Sequence, residues 1–117
     1  YVYKFISGST DISSSRRIAA SAVAGYISLT LAAACAGLMF GLQPILHLSP
    51  EGVPLYMPYG LNVALPAMLL EHILGFSILE ALVTGLIFAY IQRTDTSLLY
   101  EVSIKSRKIV NGKAVAS

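Results

Sequence analysis

The apolar stretch LLEHILGFSILEALVTG, residues 69–85, holds three ionisable side chains, Glu71, His72 and Glu80, with Thr84 four residues beyond the last. On a continuous helix, steps of four residues drift by only about 40°, so His72, Phe76, Glu80 and Thr84 form one ridge. Glu71 starts a neighbouring face. The spacing sets Glu80 and Thr84 to act together, with His72 about 12 Å further along the ridge if Gly75 does not break it. A carboxylate at membrane depth is costly and normally faces a bundle interior. Three roles fit such a group: a proton or ion relay, a catalytic pair, or a polar cluster that bonds neighbouring helices. Catalysis has the least support. The chain has no second carboxylate at aspartyl-protease geometry, no His-Glu-x-x-His pattern, and no Ser or Cys nucleophile paired with a base. The chain therefore reads as a non-enzyme.

The elements that must carry these residues are membrane helices. Hydrophobic residues make up 56% of the 117 and charged residues only 12%, and the mean hydropathy is +0.71, well beyond an ordinary soluble domain. Residues 18–42 run without one charge, about 25 residues, enough to cross a hydrocarbon core of about 30 Å. Small residues recur there at helical spacing: Ala20 with Ala24, Ser21 with Gly25, Ala32 with Ala36, and Gly37 with Gly41. Such pairs let backbones approach closely in lipid, so this helix expects neighbours. The run is too long, and its polar lead-in is wrong, for a secretory signal.

Residues 43–60 carry Pro44, Pro50, Pro54 and Pro58, which predicts a loop with no continuous helix. His47 and Met57 in this loop are ligand types, but their spacing makes no self-contained metal site. Residues 61–92 are apolar again, about 32 residues, longer than one straight crossing needs. Pro66 and Gly75 are the expected points of kink or break. Cys35 has no second cysteine to bridge and reads as a small apolar helix residue.

Lys and Arg lie before the first span (Lys4, Arg16, Arg17) and after the last (Arg93, Lys105, Arg107, Lys108, Lys113), with none between. The positive-inside rule then puts both ends in the cytoplasm and requires an even number of crossings. The net charge of +2 is too small to point to nucleic acid. The expected organisation is an all-α, polytopic membrane domain over residues 1–99, followed by a polar cytoplasmic tail over 100–117.

The run PYGLNVALPAMLLEHILGFSILEALVTGLIFAYIQRTDTSLL, residues 58–99, resembles the C-terminal part of the CbiM/NikM family. These are the substrate-capturing membrane subunits of energy-coupling-factor transporters for cobalt and nickel. The likeness lies in Pro66, Met68, His72, Gly75, Glu80 and Thr84, with a Tyr-x-x-Arg exit at Tyr90 to Arg93. The stretch RRIAASAVAGYISLTLAAACAGLMFGLQP is similar to that family's penultimate hydrophobic region. The resemblance implies a multi-helix subunit about twice this length, in a prokaryotic cell membrane, that imports divalent cobalt or nickel. It implies as partners a transmembrane coupling subunit, cytoplasmic ABC ATPases and a small accessory membrane subunit.

In that family the metal is held mainly by a Met-His N-terminus and further histidines in the first half, and none of these is in this sequence. No metal ligand therefore transfers, and the ligands are expected in an N-terminal part. His72, Glu80 and Thr84 match family positions as polar residues that support the site or hold helices. An alternative is a small structural subunit of a membrane complex, without a transport site of its own.

Overall fold

The computed structural model describes residues 1–9, 11 and 14–99. The expected tail, residues 100–117, lies outside the described residues. A short helix α1 (Val2–Ser7) leads to α2 (Ser15–Leu46), and a loop connects α2 to α3 (Leu61–Glu71). A π-helical turn, His72–Phe76, joins α3 to α4 (Ser77–Thr94). The described residues contain helices and one isolated β-bridge, between Leu48 and Pro54. Two rods are long and apolar enough to cross a membrane, Ser15–Leu46 and Leu61–Thr94. Only 11% of each apolar window is buried inside the chain. That low burial suits a face turned to lipid or to other helices, not the core helix of a soluble domain.

The two rods pack as an antiparallel hairpin. At one end the Gln92 side chain donates to the Ser14 carbonyl at 3.4 Å; at the other, Gly41 meets Leu61. The Ser14 hydroxyl caps α2 by accepting from the Arg16 N–H at 3.2 Å, satisfying one of the open amides of a helix start. Arg16 also donates from Nε to the Ile6 carbonyl at 2.6 Å, tying the last turn of α1 to the start of α2.

The core consists of small residues. Ala20, Ala33 and Ala64 are the buried hydrophobic residues, and Ser21 and Ser77 are buried among the polar ones. Larger side chains such as Leu31, Met39, Leu74 and Leu86 stand exposed. Helices in lipid gain little from burying leucine, because lipid tails are equally apolar; close van der Waals contact between backbones takes over. The Gly37–Gly41 pair makes that contact with α3. A Cβ on Gly37 would stand 3.1 Å from the Leu65 Cα, and one on Gly41 only 2.6 Å from the Leu61 Cα.

Two expectations shift. Pro44 does not start the loop: α2 runs through it to Leu46, and the loop begins at His47. A proline near a helix end forfeits little, and in a low-water setting the preceding carbonyls keep their helical partners where they can. Pro66 likewise sits inside α3 without breaking it. The irregularity falls wholly on the π-turn that contains Gly75, where one turn widens and the face of everything beyond it rotates.

Candidate functional site

The ridge expected from His72 to Thr84 is interrupted at the π-turn. The Ser77 N–H reaches back five residues to the His72 carbonyl. The Ile73 carbonyl, which Ser77 would take in an unbroken α-helix, accepts instead from the Tyr26 hydroxyl of α2 at 3.1 Å. One turn along α2, Thr30 donates to the Tyr26 carbonyl at 2.9 Å and lies 2.9 Å from the Ser77 hydroxyl. A hydroxyl carries one proton, so Ser77 is the donor to Thr30. Ser77 is fully buried. Tyr26 and Thr30 thus stitch the widened turn to the middle of α2. Nothing in the sequence marks them beyond two hydroxyl residues four apart on an apolar helix.

His72 stands just before the register change. Its ring packs on Phe76 with centroids 5.3 Å apart, and its Nδ1 lies 2.8 Å from the Met68 carbonyl. A carbonyl only accepts, so Nδ1 carries the proton and donates it to Met68. The contacts of His72 thus run to Met68 and Phe76, while Glu80 is bonded to Thr84. Glu71 is exposed at the end of α3.

Beyond the turn, Glu80 and Thr84 come together. The Thr84 hydroxyl donates to Glu80 Oε1 at 2.9 Å. Both face Gly25 of α2, where an added Cβ would meet Thr84 Oγ1 at 3.1 Å and Glu80 Cγ at 3.5 Å. The glycine is what lets the carboxylate helix lie this close. Glu80 and Thr84 border an open groove of about 680 Å³ between α2 and α4, floored by Ala24, Gly25, Ser28 and Ala32. Tyr3 and Phe88 close one end with rings 5.9 Å apart. Gly25 is ten residues into α2, about 15 Å along its axis, so Glu80 lies within the apolar span. A charged residue at the centre of such a span costs about 2.5–3.5 kcal/mol on insertion scales.

The loop between the rods places His47 edge-on to Tyr56, with centroids 5.6 Å apart. Its turn is closed by Ser49, whose hydroxyl accepts from Glu51 and Val53 N–H groups at 3.3 and 3.2 Å, and by Gly52 at φ 79°. The Glu51 carboxyl is held below its ordinary value, chiefly by the Ser49 hydroxyl and also by its own backbone amide. Cys35 is exposed on α2. Among the described residues, no three His, Cys, Asp or Glu side chains gather where they could share a metal ion.

Two solved structures of transition metal transporters resemble this chain. One matches with a TM-score of 0.71 and 37% identity over 91% of this chain and 45% of its own. The other, truncated, matches at 0.67 and 38% over 77% and 40%. The "Fused nickel transport protein NikMN" of Rhodobacter capsulatus is 39% identical over 84% of this chain and 28% of its own length. The "Probable fused nickel transport protein LarMN" of Lactiplantibacillus plantarum is 42% identical over 68% and 24%. The chain thus spans about a quarter of these two curated relatives and less than half of the solved transporters. The model of the CbiM family, the cobalt uptake substrate-specific transmembrane region, matches residues 1–98, and the chain, an all-α membrane hairpin over its described residues, belongs to the CbiM family.

Proposed function

We propose that this chain is the C-terminal membrane part of a subunit that captures divalent cobalt or nickel for import by an energy-coupling-factor transporter. The family match over residues 1–98 carries the reading. The partners are a transmembrane coupling subunit, cytoplasmic ABC ATPases and a small accessory membrane subunit. The subunit works in a prokaryotic cell membrane, with both ends of this segment in the cytoplasm. The metal ligands belong to a part of the subunit outside this chain, and His72, Glu80 and Thr84 support the bundle that presents them. Support for that role comes from their bonds, which run to Met68, to each other and toward Gly25.

The test is uptake of radioactive cobalt and nickel by cells expressing the whole subunit with its partners. Accumulation that needs both the subunit and ATP hydrolysis is expected; none for either ion overturns the reading. A second reading, a structural subunit without a transport site, is favoured by the use of Gly25, Gly37 and Gly41 for helix packing. Glu80→Gln separates the two. Lost uptake with normal assembly supports transport, and lost assembly alone supports the structural role.

A further inference from the structure

The groove between α2 and α4 is unfinished. Ala24, Gly25, Ser28 and Ala32 line it from α2 and Glu80 and Thr84 from α4, and it stands open. Ala24 to Ala32 covers about 12 Å of helix axis, room for two turns of another helix. The small residues present backbone-level surface that only a closely approaching helix fills. The Glu80 carboxylate borders this surface inside the apolar span with Thr84 as its hydrogen-bond donor, and a carboxylate has about four acceptor sites. The basic residues of the described hairpin, Lys4, Arg16, Arg17 and Arg93, all lie toward its ends. Arg17 is two turns from Gly25, with a long bond from its guanidinium to the Tyr3 hydroxyl at 3.5 Å.

We propose that this groove seats a transmembrane helix from another part of the same subunit, and that this helix presents an Arg, Lys or His side chain to the Glu80 carboxylate. The length of the relatives supports an occupant within the subunit: more than half of each solved transporter chain lies outside the matched region. Permanence supports it as well. A partner that came and went would return the carboxylate to lipid at every dissociation, whereas an intramolecular helix covers it once, on folding. The inference rests on the chain being part of a longer subunit, but not on which ion is carried.

The test places a photo-crosslinking benzoyl-phenylalanine at Ser28 of the whole subunit in lipid nanodiscs, with the crosslinked peptides mapped by mass spectrometry. The expected product lies within one polypeptide, in an apolar segment holding Arg, Lys or His within one turn of the crosslink. Crosslinks to lipid alone, to a second copy or to a separate subunit overturn the proposal. A charge swap is the second readout. Glu80→Lys lowers the yield of folded subunit by about fivefold or more, and exchanging the facing basic residue for Glu restores most of it. An unaffected Glu80→Lys variant, or a swap that restores nothing, overturns the pairing. Neither readout uses ion uptake, so a failed transport assay leaves this result to stand or fall by itself.

Discussion

The Tyr26 hydroxyl donates to the Ile73 carbonyl across the two rods at 3.1 Å, anchoring the one turn in which the second rod leaves α-helical register. Tyr26→Phe keeps the ring and removes the donor. The expected cost is about 1 kcal/mol, in the range of hydrogen bonds between membrane helices. Hydrogen exchange of the whole subunit should quicken over residues 72–78 and stay unchanged near Gly41. Unchanged exchange across that turn would mean that the Tyr26 bond does not hold it.

The glycines rank by what a methyl group would meet. Gly75 has open space, Gly25 meets the Thr84 hydroxyl at 3.1 Å, and Gly41 meets the Leu61 Cα at 2.6 Å. Gly75→Ala should be neutral or stabilising by up to about 1 kcal/mol through backbone entropy. Gly25→Ala should cost about 1 kcal/mol, because a side chain can yield, and Gly41→Ala about 2–3 kcal/mol, because a backbone must move. Melting temperatures in one detergent would check the order. A Gly41→Ala protein as stable as the wild type would refute the close approach of α2 and α3.

Loss of the Ser49 hydroxyl should loosen the turn and release Glu51. The Glu51 carboxyl is held low in the folded chain, so its stabilising contribution is complete above the ordinary carboxylate value. It is lost as pH falls through the lowered one. In Ser49→Ala the Glu51 titration, followed by carboxyl NMR of the whole subunit, should move up. A curve that does not move would show that the backbone amide alone sets it.

His72→Phe preserves the packing on Phe76 and removes the bond to Met68. With His72 as a supporting residue, uptake by the whole transporter should fall by no more than about tenfold, the lower end of losses for groups outside the metal's own ligands. Complete loss with normal assembly would instead make His72 a ligand.

Some of this molecule is written in local sequence. Charge-free apolar runs and flanking Arg and Lys mark two membrane rods, because span length and helical rise are fixed quantities. The four-residue step from Glu80 to Thr84 gives their hydrogen bond, since it lies within one regular helix. The family pattern is equally legible, being a matter of residue types and spacing.

Other features were decided only by packing. Pro44 and Pro66, the loudest breakers, sit within helices, while the register changes at His72–Phe76. Periodicity assumes about 3.6 residues per turn throughout, so it does not locate a single widened turn or the shift of face beyond it. Small residues announce that some helix will come close but not which one. The antiparallel hairpin sets Gly37 and Gly41 against α3 and Gly25 against Glu80 and Thr84. The Tyr26 hydroxyl reaches the Ile73 carbonyl, and the Thr30 and Ser77 hydroxyls bond each other, only because two distant segments meet, and contact between distant segments leaves no local period in the sequence.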